Sequence, residues 1–360
     1  MKTRRVLLLM TGTTVGSTTI SLPAIHAVQR HFGPEAEMWL MYRSNPSSPT
    51  KPTDVLLEDA HIKGFLSLVQ GFHPKKILAL LWKLWRLRFE SAIYVDSSGI
   101  SAKSLRAYKL LTMAAGITRR IGFYPHVPQS HRADPRGVPP VFKQEAIRRL
   151  ENLRRDGVDI SLESDFSRPF LPLSDATRHT VQTWLQGRRR YPEKCLVAIC
   201  PGARSQSNTW PLKRFMEIGH RLINLNVYEV VVCGGPAEYA AGELLVQEWG
   251  EGINAAGSFS VLESAALLEG CRFMVGLDTG ATHLAAAVGV PCITLQGGRM
   301  YPGHWDPLGN NHTVLRFPVP CDGCRLTTCK LSMHPCMKGI SVEMVWQAIL
   351  KKHHKDGTSP

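Results

Sequence analysis

Along this chain, short unbroken apolar runs end repeatedly in a polar or glycine-bearing turn and then give way to helical spacing. Residues 6–10 run into Thr11-Gly12-Thr13-Thr14-Val15-Gly16-Ser17 and a helix over 20–30; residues 91–95 run into Asp96-Ser97-Ser98-Gly99 and a helix over 102–115. The pattern returns at 195–200, 229–233 and 273–277, with helices over 212–225, 240–249 and 283–288, and further strands are read at 38–41 and 292–295. An unbroken apolar run suits a strand covered on both faces, and strands separated by helices pair in parallel. The chain is therefore expected to be α/β and doubly wound.

The 360 residues suffice for two such domains, each with a core that needs no disulfide or metal. Proline, histidine and glycine crowd residues 124–140, and Pro169, Pro172 and Pro192 bracket a helical segment at 175–186. We expect two Rossmann-like domains, 1–175 and 176–350, followed by a basic tail at 351–360 that reads as disordered.

With 43 Lys+Arg against 29 Asp+Glu, the chain carries a formal charge of +14, which points to anionic partners. Nucleic acid is not expected, because the chain shows no zinc-finger spacing, basic-aromatic sheet motif or helix-turn-helix signal. The apolar run at 6–10 is shorter than the ~7–15 residues of a signal-peptide core, and no run reaches the ~20 that span a bilayer. A cytoplasmic protein is expected, in which the nine cysteines are reduced thiols or metal ligands.

Three turns in the second half share one design. They are Pro201-Gly202-Ala203-Arg204 through Asn208-Thr209-Trp210-Pro211, then Gly234-Gly235-Pro236-Ala237-Glu238, then Asp278-Thr279-Gly280-Ala281-Thr282-His283. Ligands bind at the carboxyl ends of parallel strands, and amides at a helix start favour a phosphate. Each turn also has a plain structural reading, with Asp278 as a helix cap and Gly280 as a tight-turn residue.

Taken in order, these motifs resemble glycosyltransferase family 9, the bacterial lipopolysaccharide heptosyltransferases. The resemblance rests on Pro201 to Ala203 with Trp210-Pro211, on Glu238 after Gly234-Gly235, and on the D-T-G-x-x-H motif from Asp278 to His283 followed by Val290-Pro291. Ser104-Leu105-Arg106 and Arg120-Ile121-Gly122-Phe123 are similar in outline. The resemblance implies a GT-B fold, two Rossmann-like domains facing across a cleft. It also implies metal-independent, inverting transfer of a heptose from ADP-heptose to a lipopolysaccharide core sugar or related glycan. Asp278, Thr279, Gly280 and His283 would then surround the diphosphate, Glu238 the ribose hydroxyls, and Phe259 would form the adenine wall.

Two positions depart from the family pattern. Ser17, between Gly16 and Pro23, stands where the family carries its general base, an Asp; a serine hydroxyl is no base at neutral pH without a partner. Asp96 is the first substitute considered, beside the plainer reading of a cap or loop-forming carboxylate; His26 is a weaker one. Asn208 stands where the family carries a phosphate-contacting Lys, with Arg204 as the replacement considered. Two alternatives stay open: a catalytically impaired member that binds nucleotide sugar or glycan, and a transferase with another donor.

Cys321, Cys324, Cys329 and Cys336 form C-x2-C-x4-C-x6-C beside His334. This spacing suits structural zinc or a single iron with no open catalytic position, against free thiols or disulfides formed on isolation. Members of the resembled family often carry such a cluster. Cys200 and Cys292 fall in apolar strands and read as core. Residues 72–88 mix Lys75, Lys76, Lys83, Arg86 and Arg88 with Trp82 and Trp85, as in a helix lying on an anionic inner membrane; a packed helix with snorkelling cations is the alternative. Arg119, Arg120, Arg132 and Arg136 read as contacts to acceptor phosphates or as solvated charges.

Overall fold

A computed structural model of the chain describes residues 4–12, 14–44, 50–69, 73–96, 101–125, 140–160 and 169–355. Two compact units meet in sequence at 172/173, three residues before the expected boundary, and residues 140–142 group with the second unit. Phe142 shows why: its N–H donates to the Pro302 carbonyl (2.7 Å) and its ring stacks on Tyr301 at 4.4 Å.

The first unit holds β1 (Arg5–Met10), α1 (Val15–Thr19), α2 (Leu22–Phe32), β2 (Glu37–Ser44), α3 (Thr53–Leu56), β3 (Ile62–Val69), α4 (Pro74–Leu87), β4 (Ser91–Tyr94), α5 (Ala102–Ala114), β5 (Arg119–Ile121) and α6 (Glu145–Arg155). Its five strands are parallel in the order β3-β2-β1-β4-β5. The helix expected over 20–30 is α2, which starts at Leu22 with Pro23 in its first turn, where a missing N–H costs nothing; the short helix α1 precedes it and overlaps the end of the stretch read as a turn. Sequence periodicity misses β3, since Gly64 interrupts it. A Cβ there would lie 2.5 Å from the Trp39 ring, so the glycine makes room for that side chain.

The second unit holds α7 (Asp175–Gln186), β6 (Cys195–Cys200), α8 (Leu212–Asn224), β7 (Tyr228–Val232), α9 (Tyr239–Trp249), β8 (Ile253–Asn254), α10 (Val261–Glu269), β9 (Met274–Leu277), α11 (Gly280–Ala287), β10 (Cys292–Leu295), β11 (Thr313–Leu315), α12 (Pro335–Lys338) and α13 (Val342–Lys355). Its parallel sheet runs β11-β10-β9-β6-β7-β8. Both strand orders are those of a doubly wound sheet that reverses direction beside its first strand. Apolar side chains of β6, β7, β9 and β10 pack with Phe215, Ile218 and Leu222 of α8 and with Val345 and Ile349 of α13.

The tail expectation is corrected over 351–355, which close α13. Buried His353 pairs through Nδ1 with the Tyr228 hydroxyl (2.8 Å), and the Lys352 ammonium donates to the Asn311 carbonyl (2.8 Å), so a polar sequence is pinned by tertiary contacts. Residues 356–360, Ser97 to Gly99, Arg132 and Arg136 lie outside the described residues. Among the described residues no helix is long and apolar enough to cross a membrane.

Candidate functional site

In each sheet the connections leave in opposite directions from two neighbouring strands, β1 and β4 in the first unit and β6 and β9 in the second. Ligands of doubly wound sheets bind outside the carboxyl ends of such strands. Ser17 and Asp96 of the first unit and the three turns of the second fall there.

In the first unit, Ser17 lies in α1, whose start is capped by the Thr14 hydroxyl accepting from the Ser17 N–H (3.1 Å). The Ser17 side chain is buried, and among the described residues its Oγ has no hydrogen-bond partner. Asp96, two residues beyond β4, is close by: a Cβ on Gly12 would lie 1.8 Å from Ser17 Oγ and 3.2 Å from Asp96 Oδ2, so only a glycine can separate them. Asp96 Oδ2 accepts from the Thr11 N–H (3.0 Å), the Thr11 hydroxyl (2.7 Å) and the Gly12 N–H (2.6 Å). Its Oδ1 receives Arg149 Nη2 at 2.9 Å.

Arg149, on α6, went unread in the sequence, and it links the whole arrangement. Its Nη1 donates to the Ser17 carbonyl (2.9 Å) and to the Ser21 hydroxyl, and its Nε lies 3.5 Å from Glu145 Oε1. With at least four donors on its two oxygens, Asp96 has the geometry of a loop-forming carboxylate. His26, on α2, lines a cavity of about 520 Å3 with Asp59, His61 and Phe170. Arg119 stands at the start of β5, over the Phe32 ring at 5.3 Å, and Arg120 donates to the Ile117 carbonyl (2.7 Å); both lie at the amino end of the sheet, away from the switch point.

In the second unit the three turns come together. Asn208 ties the first to the third and to the loop after β10: its Nδ2 donates to the Asp278 carbonyl (2.8 Å) and its Oδ1 accepts from the Gly297 N–H (3.4 Å). Arg204, exposed in the same turn, makes no ion pair or hydrogen bond among the described residues. Trp210 is buried, donates from its indole N–H to the Ile340 carbonyl (2.9 Å) and meets Phe215 edge-on at 4.8 Å, which anchors the start of α8.

Glu238 Oε2 accepts from the Gly235 N–H (2.8 Å), and its side chain crosses Gly202 and Gly234, where a Cβ would come within 2.3 Å and 2.7 Å of it. The loop bearing Phe259 is tied to this turn by the Gly257 N–H donating to the Gly234 carbonyl (3.0 Å). The Phe259 ring meets Trp184 of α7 edge-on at 4.9 Å.

Asp278 follows β9, and Thr279 and Gly280 open α11, turning its first amides towards the strand ends. Burial raises the Asp278 carboxyl to about 7; Asp306 adds to the rise, while Arg316 and Arg299 oppose it. His283 is buried with Nε2 3.9 Å from Asp278 Oδ1 and its ring 6.0 Å from that of Trp305. Sequence reading missed the loop after β10. Arg316, directly after β11, donates to that loop's carbonyls of Gly297 (3.2 Å) and Met300, and burial pushes its guanidinium below its ordinary value despite Asp322, Asp306 and Asp278. The run Gly297-Gly298-Arg299 directly after an apolar strand is the signal that could have found it.

The cysteine-rich segment packs against the same loops. The Ser207 N–H and hydroxyl donate to the carbonyls of Thr327 (3.1 Å) and Leu326 (2.5 Å), the Cys329 N–H to Gln206 Oε1 (2.9 Å), and His334 Nε2 pairs with the Ser207 carbonyl (3.0 Å). Burial, and then the neighbouring thiols, push Cys321 up, and burial pushes Cys336 up with Cys329, Cys321 and Cys324 adding to it. The four thiols thus share one neighbourhood. They do not fit a metal as they stand: among the described residues no three His, Cys, Asp or Glu side chains converge on a point that an ion could occupy.

Comparison with known proteins agrees with this geometry. The model of glycosyltransferase family 9 (heptosyltransferase) matches residues 100–334, more than half of the chain. Lipopolysaccharide heptosyltransferase 2 of Salmonella typhimurium is 32% identical over 133 residues, 35% of this chain and 37% of the relative, so the chain spans little more than a third of that relative's length. In structure the chain is similar to a family 9 glycosyl transferase from Veillonella parvula (TM-score 0.70, 17% identity, 97% of each chain covered). It is also similar to the ADP-heptose lipopolysaccharide heptosyltransferase II of E. coli (TM-score 0.69, 18% identity, 98% and 99% covered). The fold is therefore that of the GT-B heptosyltransferases, and the chain belongs to glycosyltransferase family 9, the heptosyltransferase family.

Proposed function

We propose that the chain is an inverting glycosyltransferase of lipopolysaccharide core biosynthesis that moves a heptose from ADP-heptose to a core sugar. The observation that carries this reading is the convergence of the strand-end turns: Asn208 bonds the Asp278 carbonyl, the Glu238 side chain crosses Gly202, and Arg316 and Arg299 act on the Asp278 carboxyl beside the start of α11. Charge develops on the leaving diphosphate in the transition state, and amides and guanidinium groups held in place beforehand are what stabilise it. Glu238 is set to accept from ribose hydroxyls, and Phe259 supplies an apolar wall for a base. Asp278, raised to about 7 by burial, is half protonated near neutrality and tolerates a phosphate better than an ionised carboxylate does.

The family membership and the ADP-heptose named for the E. coli neighbour support this donor. A cytoplasmic place of action, with contact at the inner membrane where a lipid-linked acceptor is made, belongs to the same proposal. So does a structural zinc or iron at Cys321, Cys324, Cys329 and Cys336, supported by their spacing; side-chain rotations would have to close the four thiols around it, and no catalytic step depends on it. Metal analysis of chain purified without chelator tests this: one tightly held equivalent, lost in Cys321→Ser, is expected, and its absence ends the metal reading.

One observation favours a second reading, a member that binds nucleotide sugar without turnover: among the described residues Ser17 Oγ has no hydrogen-bond partner and Asp96 is held by at least four donors, so neither stands ready to take a proton. Calorimetric ADP binding and a transfer assay with ADP-heptose and heptose-deficient lipopolysaccharide, read by mass spectrometry, separate the two. Product abolished by Asp96→Asn in a variant that still folds establishes a relocated base. ADP binding without product from any acceptor supports the second reading, and absence of both overturns the nucleotide site.

A further inference from the structure

Helices α4 and α5 cover one face of the first unit's sheet: Leu80 and Leu84 of α4 and Leu105 and Tyr108 of α5 pack in one core with Leu7, Leu9, Ala92 and Tyr94. That leaves each helix an outer face. On α4 it carries Leu78, Trp82 and Trp85, spaced i, i+4, i+7 and each more than half exposed. On α5 it carries Leu110 and Met113, also more than half exposed, on the same line as Lys103 and Arg106. A soluble protein rarely leaves two tryptophans and three large aliphatic side chains open to water on one side.

Charge identifies what covers them. The two helices carry Lys75, Lys76, Lys83, Arg86, Lys103, Arg106 and Lys109 and no Asp or Glu. The Arg86 guanidinium lies over the Trp82 ring at 5.2 Å, holding cation and aromatic ring together at the surface. Snorkelling stems do not hide the apolar ridge, because the ridge itself is exposed. A second copy of the chain would bring seven cations against seven, and a nucleic acid would satisfy the cations while leaving Leu78, Leu110 and Met113 in water. A bilayer with anionic headgroups satisfies both: cations meet the headgroups, and Trp, Leu and Met enter the boundary below them.

We propose that the joint α4–α5 face is a docking surface for an anionic lipid bilayer. The inference rests on the reading of this chain as a transferase working at the inner membrane, and it adds a surface built by two helices, of which the sequence marks only the first.

Sedimentation of the full chain with vesicles of phosphatidylcholine and phosphatidylglycerol (3:1), against phosphatidylcholine alone, tests it. We expect binding to the anionic vesicles only, a blue shift of tryptophan fluorescence on binding, and weakening as salt is raised. Trp82→Ser with Trp85→Ser, and separately Leu110→Ser with Met113→Ser, are each expected to lower the partition coefficient at least tenfold with the melting temperature unchanged. The proposal is overturned if the wild type does not bind anionic vesicles, if both double variants bind like wild type, or if a DNA duplex is bound in preference to the vesicles. Calorimetric ADP binding on the same samples keeps this inference apart from the transferase reading. Wild type that binds vesicles but not ADP sinks the transferase alone, and wild type that binds ADP but not vesicles sinks the docking surface alone.

Discussion

Arg149 Nη2 stands 2.9 Å from Asp96 Oδ1 with both side chains wholly buried, joining helix α6 to the end of β4 at the switch point of the first sheet. The same guanidinium holds the Ser17 carbonyl, so one residue from a distant helix sets the loop where the family keeps its base. Removing one partner of a buried ion pair strands the other, which costs about 3–5 kcal/mol. Arg149→Met is expected to lose that much in denaturant unfolding. Combined with Asp96→Asn it should cost less than the two single losses added, because the second change removes the stranded charge. Additive losses would mean that the pair is not coupled.

Asp278 makes stability depend on pH. Its folded value of about 7 lies above the ~3.9 of an unfolded Asp, so between these values the folded chain binds more protons than the unfolded one. Its contribution is therefore fully present below about pH 4 and is lost as pH rises through 7. Asp278→Asn removes the ionisation and should be more stable than wild type at pH 8, with a smaller gain at pH 5. One pKa unit is worth about 1.4 kcal/mol, so denaturant midpoints resolve the difference. An equal gain at both pH values would show that the carboxyl is not desolvated.

These two carboxylates mark where sequence reading succeeds and where it stops. Asp278 sits in a turn whose neighbours in sequence are also its neighbours in space, so D-T-G-x-x-H is legible as a strand end opening a helix. Asp96 is equally visible as a strand-end residue, but its chemistry is decided by Arg149, 53 positions away, on a charged helix with nothing local to mark it. The apolar strands were legible because burial on both faces writes an unbroken run. Strand β3 was not, because its Gly64 serves Trp39 on the neighbouring strand, and the last turns of α13 were not, because their hold on Tyr228 and Asn311 is tertiary.

Glu238 lies across two glycines, and the fit is testable through Gly202. A methyl group there would come within 2.3 Å of Glu238 Cγ, so the partly exposed Glu238 side chain has to shift. Gly202→Ala should therefore fold with a modest loss of about 1 kcal/mol, in the lower part of the ~1–3 kcal/mol range for overpacking. It should also weaken ADP binding by moving the carboxylate off the ribose. Adding Glu238→Ala should restore the stability without restoring the affinity. If stability is not recovered, the clash is with the backbone and the assignment of Glu238 is wrong.

Arg204 and Asn208 share one turn and predict opposite outcomes. Arg204 is exposed and makes no hydrogen bond or ion pair among the described residues, so Arg204→Ala should leave the melting temperature alone and weaken ADP binding about tenfold, the scale of one charge-assisted hydrogen bond. Unchanged affinity would end its role as replacement for the family lysine. Asn208 is buried, with one end of its amide given to the Asp278 carbonyl and the other to the Gly297 N–H. Restoring the family residue as Asn208→Lys removes the acceptor that Gly297 needs and buries an ammonium, so it should lower the melting temperature and weaken ADP binding, although it adds a positive charge. A gain in ADP affinity at unchanged stability would show instead that the turn still accommodates the family lysine and that the brace seen here is replaceable.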